Sequence, residues 1–192
     1  MQALLLDAAG TDAPALAVAR ELMLDALSGQ GRSVNRVALD RLRLAPCQGC
    51  RGCWVRTPGV CVIDDGAREL AEAWVASDAV IMFTRVTFGG YSSRLKQVLD
   101  RIACSLLSPH CTLSDGQVHH RRRYRCYPKL LGLGELRLPD PKAERLFCTL
   151  VGRNATKLHA PAHAAGVVTA KLSRLSIRAA VRALLAEAEA LA

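Results

Sequence analysis

The stretch from Asp78 to Thr84 reads DAVIMFT and is apolar at nearly every position. A strand with one wet face alternates polar and apolar side chains. An unbroken apolar strand is buried on both faces, which is the condition of a strand inside a parallel sheet. Parallel neighbours cannot be joined by a tight hairpin, so each connection is a crossover, usually through a helix. This run therefore commits the chain around it to alternating strands and helices.

The remaining sequence follows that alternation. Met1 to Ala8 is an apolar run closed by Gly10, Thr11 and Asp12, and reads as the first strand and its turn. Asp12 is placed to cap a helix with Pro14 in its first turn. Leu16, Ala19, Met23 and Leu27 recur at helical spacing before Gly29 and Gly31 end the helix. Ser33 to Leu42 reads as a second strand. Asp64 or Asp65 is expected to cap a helix running to Ala76. Beyond the central run, Phe88, Gly89 and Gly90 form a turn, and Ser92 or Ser93 caps a helix with Leu95, Val98, Leu99 and Ile102 inward. Lys129 to Leu136 and Ala165 to Ala170 read as strands four and five, with a helix over Pro141 to Val151 between them. Arg153 and Asn154 are then expected just after that helix. Ile177, Val181, Leu184, Leu185 and Ala188 form the inward stripe of a last helix.

Five β-α units with no repeat and no linker predict an α/β fold: a five-stranded parallel sheet with helices on both faces, spanning 1–192 as a single domain. Right-handed crossovers favour a doubly wound, flavodoxin-like order, a three-layer sandwich. Ligands of such sheets bind at the carboxyl ends of the strands.

On that edge, after strand two, the segment 45–63 carries Cys47, Cys50, Cys53 and Cys61 in a C-x2-C-x2-C-x7-C spacing. Thiolates two residues apart converge on one small inorganic centre, and iron–sulfur clusters are held by four of them. Zinc also takes four, more often as two separated pairs. Gly49, Gly52, Pro58 and Gly59 mark the irregular backbone a ligand loop needs. Trp54 is placed to shield such a centre from water, or to cover a dimer partner. The other cysteines are scattered, and Cys104 and Cys148 fall on helical core positions, where a thiol packs as a small apolar group. Eight cysteines with no basic, leader-like start argue for ligands or free thiols in the cytoplasm rather than a disulfide framework.

The net charge of +9 favours anionic partners such as nucleotides. Its densest part is His119-His-Arg-Arg-Arg-Tyr-Arg125, read either as a solvated loop or as a contact for phosphates or an acidic donor protein. Nucleic acid is disfavoured, because no stacking aromatics interleave the run beyond Tyr124 and Tyr127. No apolar stretch has the length of a membrane span. Ser-His-Asp sets, HExxH, P-loops and paired glycosidase carboxylates are absent, so no hydrolase chemistry is indicated and no catalytic side chain is assigned.

The stretch Cys47 to Asp65 resembles the cysteine loop of the flavodoxin-like NAD(P)H-dependent FMN reductases, and more narrowly of their iron–sulfur flavoproteins. Ser77 to Arg101 resembles the third strand, flavin loop and following helix of that family. The resemblance implies FMN as cofactor, NAD(P)H or a ferredoxin-type protein as electron donor, a homodimer or homotetramer, and a 4Fe-4S cluster on Cys47, Cys50, Cys53 and Cys61. It implies flavin contacts from Gly10, Thr11, Thr84, Arg85, Val86, Thr87, Phe88, Gly89 and Ser92. Two positions depart from the family's Thr-Pro-x-Tyr-x-Gly pattern: Arg85 replaces its proline and Thr87 its tyrosine. The family's Ser-x-Arg phosphate loop is replaced by Ala8-Ala-Gly-Thr-Asp12, where only Gly10 and Thr11 offer an amide and a hydroxyl at a helix N-terminus. The alternative is a flavin-free binding or sensing protein of the same fold, with the cysteines on a structural metal or cluster.

Overall fold

In the computed structural model, residues 2–112 and 116–190 are described; Met1, expected at the start of the first strand, lies outside them. Five parallel strands form one sheet in the order β2-β1-β3-β6-β7. These are β1 (Gln2–Ala8), β2 (Ser33–Ala38), β3 (Ala79–Arg85), β6 (Lys129–Leu136) and β7 (His163–Thr169). β3 lies at the centre, paired to β1 on one side and β6 on the other, and its residues up to Thr84 are all buried. That is the environment its apolar run requires.

Helices cover both faces. α1 (Pro14–Gly29) and α6 (Arg174–Ala190) pack on one side, where Leu5, Ile81, Leu16, Met23 and Val181 share a core. α3 (Ala67–Ala76), α4 (Ser93–Arg101) and α5 (Pro141–Lys157) pack on the other, around Leu4, Leu6, Trp74, Leu99 and Phe147. Alternate residues of β1 feed opposite cores, as the two-residue period of a strand demands.

The structure departs from the sequence-based expectation at several places. Between α4 and β6 lies an antiparallel hairpin, β4 (Leu106–Thr112) with β5 (Val118–Arg122). Its polar, histidine- and arginine-rich strands carry no apolar alternation, so they read as loop. β2 ends at Ala38 and passes into a short 3-10 turn, Leu39–Arg41. α5 runs on to Lys157, so Arg153 and Asn154 lie inside it, and the Asn154 amide donates to the Tyr91 hydroxyl at 3.1 Å. Ser92 caps α4 as expected, accepting from the Leu95 amide. Asp12 does not cap α1: the N-cap position is Ala13, with no side-chain cap of its own.

Candidate functional site

The strand order reverses direction between β1 and β3, and the loops leaving these two strands diverge there. Such a switch point opens a crevice at the carboxyl edge of the sheet. Among the clefts along this edge, two are formed by the segments that follow β3 and β6. One, of about 360 Å³, is lined by Asp12, Arg85, Glu135 and Arg137. The other, of about 350 Å³, is mostly apolar, lined by Val86, Phe88, Gly89, Leu136 and Leu146, with the charged Asp140 and Lys142 also in its wall. Both volumes fall in the range of about 300–1,000 Å³ typical of ligand pockets.

The turn after β3 shapes the apolar cleft. Thr87 and Gly90 exchange backbone hydrogen bonds of 3.0 and 2.9 Å, closing a two-residue turn. Both central residues take left-handed conformations, Phe88 at φ 51° and Gly89 at φ 76°. Two positive φ values define the I′ geometry, which glycine tolerates and a bulky aromatic resists. Phe88 accepts that strain while leaving its ring fully in solvent, at 101% relative exposure. Gly89 is needed for space as well, since a Cβ there would stand 2.5 Å from Leu146 Cδ2 on α5.

The other residues expected around a flavin divide into two groups. Thr84 and Ser92 hold the turn: the Thr84 hydroxyl accepts from the Ser92 amide at 2.9 Å and donates to the Arg85 carbonyl, while Ser92 Oγ caps α4. Arg85, Val86, Thr87, Phe88 and Gly89 form the rim, and Arg85 spans to the β1 loop through an ion pair of 2.9 Å with Asp12. Gly10 and Thr11 are exposed. Gly10 has φ 68° and nothing within 4 Å of where a Cβ would stand, so it forms an open turn and no cradle.

The anion position at this switch point is the amino end of α1. Here it holds a side chain of the protein. Glu135, buried near the end of β6, accepts the Leu16 amide on Oε2 at 2.8 Å, and the Ala15 amide also bonds to it. Burial pushes its carboxyl above the ordinary value, against the pull of the two amides and of Arg85. The mostly apolar lining of the second cleft suits the chemistry of a flat aromatic ring. A phosphate group does not fit the end of α1 with Glu135 in place. A charged residue closing an otherwise apolar strand, KLLGLGEL, was the available sequence signal for Glu135.

The cysteine loop sits farther along the same edge, beyond β2. Gly49 and Arg51 have positive φ, and Gly52–Val55 forms one helical turn, α2. Cys47 and Cys50 are exposed, Cys53 and Cys61 half-buried, and all four are free thiols. Burial, with smaller contributions from Cys61, Cys47 and Cys50, pushes the Cys53 thiol above its usual value. The four thiols therefore share one neighbourhood. Among the described residues, no three or more His, Cys, Asp or Glu side chains are arranged to hold a metal ion, so the donor chemistry suits a cluster and the sulfur positions do not form its ligand shell.

The loop is held from below by Arg101, whose side chain is 1% exposed. Its guanidinium donates to the Ala45 and Ile63 carbonyls at 2.7 and 3.2 Å and to both carboxylate oxygens of Asp65. Burial opposes ionisation of Asp65, but Arg101 and the Ala45 and Ala67 amides hold its carboxyl below the ordinary range. On the same helix as Arg101, Lys96 and Asp100 form an exposed i,i+4 ion pair at 2.5 Å. Sequence spacing does not single out Arg101, the buried residue of that helix end. Trp54 docks within the chain: its indole donates to the Ala103 carbonyl at 3.2 Å and its ring lies 4.7 Å from that of His120.

Cys104 is buried, as expected of a helical core position, and its thiol is pushed up to about 11, by burial first and then by Cys53 and Cys61. Cys148 is only half-buried. The basic run divides by position. Arg121 and Arg122 are exposed on β5. Arg123 points inward and donates to the Cys104 and Leu106 carbonyls at 3.1 and 3.2 Å. It therefore acts as a structural tie.

Comparison with known proteins agrees with this architecture. The family model for NADPH-dependent FMN reductase matches residues 15–122. A curated iron–sulfur flavoprotein of Methanocaldococcus jannaschii is 33% identical over 78 residues, covering 41% of this chain and 39% of that protein, so the match spans about two fifths of the relative. Among solved structures, an NAD(P)H:quinone oxidoreductase from Methanothermobacter marburgensis superposes with a TM-score of 0.72 at 14% identity, over 96% of this chain and 97% of that one. An azoreductase from Bacillus anthracis superposes at 0.67 with 13% identity, over 100% and 98% of the two chains. At these identities the structural matches establish the flavodoxin-like fold.

Proposed function

The chain belongs to the NADPH-dependent FMN reductase family, and on that basis we propose that it is an NAD(P)H-dependent oxidoreductase or electron-transfer flavoprotein whose flavin ring lies against the turn Thr84 to Ser92. The observation that carries this reading is the Phe88–Gly89 turn, held in a strained conformation beside a mostly apolar cleft between the turn after β3 and the start of α5. Strain of this kind persists where function requires it. The chemistry of a flavin enzyme belongs to the cofactor, and the protein supplies position, exclusion of water and charge. In this reading Val86, Phe88 and Gly89 form the apolar wall. Thr84 and Ser92 hold the turn, and Arg85 and Arg137 of the neighbouring cleft and Lys142 of this one offer cations to an anionic donor. The donor is a nicotinamide dinucleotide or a ferredoxin-type protein, and the working form a homodimer or homotetramer. Among the described residues no helix is long and apolar enough to cross a membrane.

The free thiols of Cys47, Cys50, Cys53 and Cys61, and the similarity to an iron–sulfur flavoprotein, support a 4Fe-4S cluster beside the flavin. A flavin-free protein with a structural metal on the same thiols is the competing reading. Anaerobic purification followed by a visible spectrum and by iron, sulfide and zinc analysis separates them. The proposal expects flavin bands with bound iron and sulfide, and loss of the iron in Cys50→Ser, since ligation needs that sulfur. A colourless protein retaining only zinc overturns it.

A further inference from the structure

The amino end of α1 follows β1 at the switch point, where its first backbone amides face the ligand edge and the helix dipole favours negative charge. In this chain a negative charge already sits in that place. Glu135 is 6% exposed, its Oε2 is 2.8 Å from the Leu16 amide, and the Ala15 amide bonds to it as well. It is fixed from behind by the sheet, because its own carbonyl accepts the Val86 amide at 2.9 Å. On the rim, Arg85 is engaged by Asp12 at 2.9 Å, which adds a second carboxylate to the same cleft. A phosphate monoester at the end of α1 would meet an amide already bonded and two carboxylates of like charge, with Arg85 committed to Asp12 and Arg137 also lining the cleft.

We propose that Glu135 is a specificity-determining residue: it occupies the anion position of α1 and makes the site indifferent to the phosphate of a flavin. The ligand class that follows is an isoalloxazine whose ribityl phosphate adds no affinity, so riboflavin serves as well as FMN. This rests on the flavin reading given above and refines it. The carboxylate acts by hydrogen bonding and charge alone, and no bond is made or broken.

Two measurements test it on the full-length protein. The first titrates the flavin-free protein with FMN and with riboflavin, followed by flavin fluorescence. The wild type should bind both within about threefold of each other, and Glu135→Ala should favour FMN by about tenfold, the value of one freed anion position at a helix end. The second uses inorganic phosphate as probe and reads the melting temperature. Phosphate should raise that of Glu135→Ala and leave the wild type unchanged. Glu135→Gln keeps an acceptor for the Leu16 amide but removes the charge, so it should show a smaller gain of the same sign and serves if the alanine variant fails to fold. Wild type that binds FMN more than about tenfold tighter than riboflavin, or that gains as much from phosphate as the variants, overturns the inference. If neither flavin binds the wild type, the flavin reading fails, and the phosphate experiment still decides whether Glu135 blocks the anion position.

Discussion

Phe88 is the residue whose conformation local preference explains least. A bulky L-residue at φ 51° pays a steric penalty of roughly 1–2 kcal/mol relative to one in an ordinary region. Its ring is in solvent, so no packing within the chain offsets that cost. Asn adopts the left-handed region more readily. Phe88→Asn should therefore stabilise the free protein by about 1 kcal/mol, read as a higher denaturant midpoint at unchanged slope. In the proposed reading the same variant should bind flavin more weakly. Equal or lower stability in Phe88→Asn would show that the ring makes a contact that offsets the strain.

At the level of elements, the cysteine loop depends on α4 through one buried pair. Arg101 is held by Asp65 and by the carbonyls of Ala45 and Ile63 on either side of the thiols. Removing one partner of a buried pair leaves the other charge uncompensated, at a cost of about 3–5 kcal/mol. Arg101→Met should lower stability by that amount and increase the alkylation rate of the half-buried Cys53 as the loop loosens. The pH dependence follows from Asp65. Its folded carboxyl lies below the ordinary range, so its contribution is complete above the unfolded value and is lost as pH falls through the folded one. Asp65→Asn should therefore flatten the acid limb of the stability profile, measured by denaturant midpoints between neutral pH and the acid transition. An unchanged acid limb would remove Asp65 as its source. The loop's spacing was legible in the sequence, because the cysteines lie close together in the chain. Its anchor was not, because Arg101 and Asp65 are far apart in sequence and ordinary in type.

For the whole molecule, the two cores lie on opposite faces of a shared sheet. Leu5 belongs to the core under α1 and α6, and Leu6 to the core under α3, α4 and α5. Both are fully buried, so Leu5→Ala and Leu6→Ala should each cost about 2–5 kcal/mol. Because the sheet's strands serve both cores, each variant should shift one common unfolding transition, with tryptophan fluorescence and far-UV circular dichroism coincident. Separate transitions for the two probes would mean that the faces unfold independently. Residue order alone settled the layered architecture, since the apolar run of β3, the helical stripes and the turn glycines are local patterns with a physical period. It also marked the cysteine loop and the turn after β3, whose residues are contiguous. Only the tertiary structure decided that β4 and β5 form a hairpin, that Arg123 is an internal tie, and that Glu135 of β6 caps α1. Leu16 and Glu135 stand 119 positions apart, and no periodicity or propensity links residues at that separation. The folded sheet brings the end of β6 to the start of α1, and the bond between them exists only once both strands and helix are in place.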